Sequence, residues 1–132
     1  MSNFEPSIDA ARAKRSKYGV APKEQRVYRG VLYASKAERM YAQTLDLRTD
    51  TDWWLRQVPV QLGEDVVYRV DFLVSEKTRA WDSPGSGIVH AVDVKGAETR
   101  EFKRVKKLWA KYGPFPLRIV KRGKAVEVIE AQ

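Results

Sequence analysis

The sequence predicts an α/β domain, a mixed β-sheet of about five strands flanked by two main helices in the order α-β-β-β-α-β-β. Three observations predict it. Runs rich in valine and aromatics, each bounded by turn residues, recur along the chain. Two other segments carry apolar residues at helical spacing behind a hydroxyl residue suited to capping. The length, 132 residues, suits a single core.

In chain order, residues 1–26 hold Pro6, Gly19, Pro22 and the cations Arg12, Lys14, Arg15 and Lys17 with little sustained apolar periodicity, which predicts a mobile basic arm. The domain proper is expected over residues 27–132. "VYRGVLY" (27–33) reads as a short hairpin or extended entry around Gly30. "SKAERMYAQTLDL" follows, with Ser35 as N-cap and Glu38 three residues on, the spacing of a capping box, and with Ala34, Ala37, Tyr41 and Leu45 along one face. "WWLRQVPVQL" (53–62), "VVYRVDFLV" (66–74) and "GIVHAVDVK" (87–95) read as three strands, the first two joined through Gly63, Glu64 and Asp65. The loop at 75–87 is long enough to suggest function or disorder. "TREFKRVKKLWAKYG" is a second helix capped by Thr99 and stopped at Gly113-Pro114, and "PLRIVKRGKAVEVIE" closes the chain as a hairpin about Gly123.

Composition narrows the function. No run approaches the roughly 20 apolar residues of a membrane span. The N-terminal stretch lacks the apolar segment of a secretory signal, so a cytoplasmic protein is expected. The absence of cysteine excludes thiol catalysis and cysteine-ligated zinc, and a lone histidine, His90, gives little support to a Ser-His-Asp triad. The net charge of +8 favours a polyanion, and nucleic acid over membrane, because cations that neutralise phosphates release counterions.

The acidic residues are placed unlike solvated ones. Side chains alternate along a strand, so Asp93 and Lys95 share a face, and Asp71 interrupts a strand whose Val70, Phe72 and Val74 point the other way. Asp93 with Lys95 could be a half-exposed ion pair contributing about 0–1 kcal/mol. Asp71 is harder to explain, because an aspartate in such a strand needs a partner. Two carboxylates from neighbouring strands, with Glu38 leaning over from a helix, would make an oxygen-rich site suited to magnesium or manganese, although Ser35 and Glu38 could equally be a capping box alone.

Glu38, then "VDF", then "DVK", then a basic helix resembles the PD-(D/E)XK nuclease superfamily. More closely, "YRGVLYASKAERMY", "RQVPVQL", "YRVDF", "DVKG" and "TREFKRVKKLW" are similar to small bacteriophage proteins grouped with endonuclease I and Holliday junction resolvases, over about residues 18–121. The resemblance implies a restriction-endonuclease-like core and a metal-dependent, structure-selective DNA endonuclease that resolves branched DNA by phosphodiester hydrolysis. It implies Glu38, Asp71 and Asp93 as catalytic metal ligands, the Val94 carbonyl as a further ligand, Lys95 as the catalytic lysine, and one or two Mg2+ or Mn2+ ions per site. It also implies a homodimer acting on branched or double-stranded DNA and, for a phage-encoded protein, the cytoplasm of a bacterial host. The 75–87 loop and the C-terminal hairpin are longer than the family pattern. Two alternatives share these residues, a non-catalytic DNA-binding module that keeps the fold and a nuclease of linear or single-stranded ends.

Further DNA contacts are expected from the arm, from Ser35 and Lys36 at a helix start where backbone N–H groups favour anions, and from Gln57, although strand glutamines are usually only solvated. On the second helix Phe102, Val105, Trp109 and Tyr112 fall in one arc, and Arg100, Lys103, Arg104, Lys107 and Lys111 fall nearly opposite. That almost purely basic face reads as a phosphate-tracking surface, which positions a duplex without reading its sequence. His90 has the parity of Val92 and Val94 and is expected as a satisfied core or edge residue. Trp53, Trp54 and Trp109 are expected in the core or an interface, and Trp81, on the long loop, is the candidate for stacking on a base.

Overall fold

The computed structural model describes residues 20–77 and 87–131. Arg12, Lys14, Arg15, Lys17 and Trp81 lie outside the described residues, as do residues 78–86 of the long loop. The chain forms two compact units, Met1–Thr44 and Leu45–Gln132.

In the first unit a single turn of 3-10 helix, Lys23–Gln25, precedes a two-stranded hairpin of β1 (Val27–Tyr28) and β2 (Val31–Leu32). Its turn residues Arg29 and Gly30 both have positive φ, 51° and 78°, the backbone hand that matches the twist of paired strands. Arg26 braces the hairpin, its Nη1 donating to the Tyr33 carbonyl at 3.1 Å while the Tyr33 N–H donates to the Arg26 carbonyl at 2.8 Å. Helix α1 (Lys36–Leu47) starts where the capping pattern places it, and the Ser35 hydroxyl accepts the Glu38 N–H at 3.1 Å.

The second unit holds a five-stranded sheet in the order β3-β4-β5-β6-β7, made of β3 (Thr51–Gln61), β4 (Val67–Glu76), β5 (Ile88–Val94), β6 (Leu117–Lys121) and β7 (Lys124–Ile129). All pairings are antiparallel except β5 with β6, which run parallel and are joined by helix α2 (Arg100–Tyr112). The mixed α/β character expected from the pattern is therefore present. The core lies between α2 and one face of the sheet, where Phe102, Val105 and Trp109 pack with Val60, Leu62, Val70, Ala91, Leu117 and Ile119. Burying each such side chain stabilises by about 1.5–3 kcal/mol. Phe72, Val74, Val92 and Val120 are buried as well, and Trp54 meets Phe72 edge-on with ring centroids 5.5 Å apart.

The end of α2 differs from the usual glycine stop. Gly113 is not left-handed (φ −63°), so backbone handedness does not require glycine there. Space does: a Cβ would press into the Trp109 indole and stand 2.7 Å from the Trp109 carbonyl oxygen, while the indole N–H is held by the Phe115 carbonyl at 2.7 Å. Gly113→Ala is therefore expected to lose about 1–3 kcal/mol of stability in chemical denaturation. An unchanged midpoint would show that Trp109 can yield.

Candidate active site

The ladder between β4 and β5 ends at Phe72 and Val92. One step further, where that register would set Asp71 opposite Asp93, the carboxylates take over the hydrogen bonds. Asp93 Oδ1 accepts the Asp71 N–H at 2.9 Å, and Asp71 Oδ2 accepts the Val94 N–H at 2.8 Å. Each aspartate thus satisfies the backbone of the other's strand as the two strands part. On its other side β5 stays paired, with Asp93 beside Ile119 of β6 and the Lys95 N–H donating to the Val120 carbonyl at 2.9 Å. A well-fixed strand therefore carries Asp93, Val94 and Lys95 to the point of separation.

Asp93 is fully buried. Its Oδ2 accepts the Tyr68 hydroxyl at 2.6 Å and lies 3.9 Å from Lys95 Nζ. Lys95 Nζ donates to the Tyr68 hydroxyl at 3.2 Å and sits 4.0 Å above the centre of the Phe102 ring, an attractive cation–π position. Burial, and then the charge of Asp71, push the Asp93 pKa up from 3.8 to about 6, against the opposing pull of Lys95 and the two hydrogen bonds. Burial and a neighbouring carboxylate thus disfavour the charged form of Asp93.

The two adjacent carboxylates and the all-oxygen donor set fit a hard divalent cation held by Asp71 and Asp93. Among the described residues no three or more His, Cys, Asp or Glu side chains stand together as a ready-made cage. Magnesium often takes only one or two carboxylates, with water and phosphate oxygens completing its shell.

The structure brings together Asp71, Asp93 and Lys95, and the Val94 N–H, of opposite parity, donates to Asp71. Glu38 belongs to the first unit, on the first turn of α1, and is buried at 4% exposure. The hydroxyl of Ser35 is engaged in capping, and Lys36 is exposed. Gln57 lies in β3 at the level of Asp71 with φ 55°, a left-handed backbone that costs a non-glycine residue on the order of 1 kcal/mol or more. Arg100, Lys103, Arg104, Lys107 and Lys111 are all exposed on α2. Their face is less purely basic than the sequence suggests, because Glu101 is exposed there and pairs with Arg104 at 3.2 Å. Tyr112, placed by periodicity in the apolar arc, is 45% exposed because α2 ends there.

His90 corrects another expectation in part. It is buried in the core, but neither ring nitrogen has a hydrogen-bond partner among the described residues, and Nδ1 lies 3.5 Å from Glu76 Oε1. Burial, then the charges of Arg118 and Arg48, lower its pKa to about 4, so it is neutral at physiological pH. Trp109 is fully buried, and Trp54 is half-buried with its indole N–H donating to Asp46 at 2.8 Å; Trp53, expected in the core or an interface, is 42% exposed.

Tyr68 is the site residue that sequence reasoning missed. Strict alternation assigns it the face opposite Asp71. It nevertheless reaches Asp93 and packs beside Phe102 at 6.1 Å between ring centroids, past the left-handed Gln57 and beyond the end of the β4-β5 ladder. The only sequence trace is its place in "YRVDF", three residues before Asp71.

Comparison of the chain with protein families, curated proteins and solved structures finds no match. No helix among the described residues is long and apolar enough to cross a membrane.

Proposed function

We propose that this protein is a divalent-metal-dependent DNA endonuclease that cuts branched DNA. One observation carries the reading: two interlocked carboxylates, Asp71 and Asp93, at a parting of strands with Lys95 beside them. An ionised group is costly to bury without pairing or metal, and Asp93 is fully buried with a second carboxylate beside it. Asp71 and Asp93 would hold Mg2+ or Mn2+, with the Val94 carbonyl as a further ligand that the superfamily resemblance implies. When bound, such an ion supplies Lewis acidity toward a phosphodiester and neutralises developing negative charge.

The chain's own groups do the rest. Lys95 is a donor-only ammonium, steadied by the Phe102 ring and by Tyr68, and can orient a water or phosphate oxygen at the rim of the site. The α2 cations, exposed on the helix whose Phe102 lies under Lys95, give a DNA backbone a track beside the carboxylates. The preference for branched substrates and the homodimer rest on the resemblance to junction resolvases, in which two sites meet two strands.

The reading is tested by incubating the purified protein with labelled four-way junction, duplex and single-stranded DNA, in magnesium and in chelator. Junction cleavage that needs magnesium is expected. Tight binding without cutting would instead make the protein a binding module, and preferential attack on linear or single-stranded ends would replace the branched substrate.

A further inference from the structure

We infer that Tyr68 is a positioning residue of this site: its hydroxyl ties Lys95 to Asp93 and would give up Asp93 Oδ2 to a divalent cation, freeing the ammonium toward substrate. The inference rests on the cation site proposed above.

The direction of the hydrogen bonds is set by chemistry. An ammonium can only donate and an ionised carboxylate can only accept, so the phenol must accept from Lys95 and give its single proton to Asp93. At 3.9 Å the lysine is beyond hydrogen-bond reach of the carboxylate, and the phenol oxygen bridges the gap with contacts of 3.2 and 2.6 Å. Lys95 is therefore held in large part through Tyr68.

The same bond places Tyr68 in competition with a cation. Asp93 Oδ1 is engaged by the Asp71 N–H, so Oδ2 is the oxygen left to turn toward a ligand, and the phenol proton already lies on it. A divalent ion held by Asp93 would repel that proton and draw away the charge that makes the hydrogen bond strong. Space for the released ring exists. A cavity of about 200 Å3 borders Tyr68 and Lys95 and is walled by Val66, Val67, Phe102 and Val105, surfaces suited to an aromatic ring. The Phe102 ring, 4.0 Å from the Lys95 ammonium, would remain beside it.

The test needs no DNA and no turnover. Mn2+ binding to the full chain is measured by calorimetry for wild type, Tyr68→Phe and Asp93→Asn. Because a hydrogen bond to a charged group no longer has to be broken, Tyr68→Phe is expected to bind about tenfold tighter than wild type. Asp93→Asn should lose the binding. As a second measurement that leaves the hydroxyl in place, 3-fluorotyrosine is introduced at position 68, and its 19F resonance should shift as Mg2+ is added. Equal or weaker Mn2+ binding by Tyr68→Phe, or a resonance that ignores saturating Mg2+, overturns the inference and leaves the cation site standing. Failure of the wild type to bind Mn2+ overturns the cation site itself, and the inference with it.

Discussion

Asp93→Asn should reduce magnesium-dependent cleavage by about 10^3-fold or more, since several kcal/mol of charge stabilisation at the phosphodiester depend on the ion that Asp93 would hold. Binding to a four-way junction in chelator should stay within about twofold, because the exposed cations that meet phosphate are untouched. The same substitution should stabilise the metal-free fold at neutral pH. The sign follows from the raised pKa. Asp93 titrates near 6 when folded and near 3.8 when unfolded, so its contribution is fully present below pH 3.8 and is lost as pH rises through 6. At pH 7.5 the wild type bears the whole cost of an ionised, buried carboxylate. Asparagine keeps the shape and an oxygen for the Asp71 N–H without the charge, and a gain of about 2 kcal/mol is expected at pH 7.5, shrinking toward zero near pH 4. Thermal melts in chelator at the two pH values measure it. Loss of stability at pH 7.5 would mean that Asp93 serves the fold and not a cation. Unchanged cleavage would remove it from the reaction.

Reversing Lys103, Arg104 and Lys107 to glutamate should weaken DNA binding on the order of 100-fold at low salt, whatever the base sequence. If each of the three meets one phosphate, the slope of log affinity against log salt should become shallower by about 2.7, at about 0.9 per contact. The fold should hold, because these side chains are exposed and the packing residues of α2 are Phe102, Val105 and Trp109. Glu101 tempers the effect of Arg104, whose charge is partly answered within the free protein. A shift well below 2.7 would direct attention to Arg100 and Lys111 at the two ends of the helix. An unchanged slope would place the DNA on another surface.

Much of this was legible in one dimension. Valine-rich alternation marks β3, β4 and β5, and the left-handed pairs Arg29-Gly30 and Arg122-Gly123 sit at the hairpins that the glycines announced. Ser35 and Thr99 cap the two helices because a hydroxyl one position outside the first turn can reach its unpaired N–H groups, a local event needing no tertiary partner. Parity put Asp93 and Lys95 on one face, and the structure holds them 3.9 Å apart.

Where two strands separate, local rules stop applying. Alternation predicts the faces of a regular ladder, and the ladder between β4 and β5 ends one residue before Asp71 and Asp93. The carboxylates that replace ladder partners, the left-handed Gln57 and the Tyr68 hydroxyl all cluster at that interruption. Gly113, where the helix was expected to stop, likewise owes its place to contact with Trp109 and not to backbone handedness. By itself the sequence determined the elements, their order, the basic face of α2 and the acidic residues to watch, because each depends on spacing along one chain. Tertiary structure alone decided that Asp93 is fully buried, that a phenol stands between it and Lys95, and that burial beside Asp71 raises the Asp93 pKa, because burial and electrostatics depend on what distant segments bring to the same place.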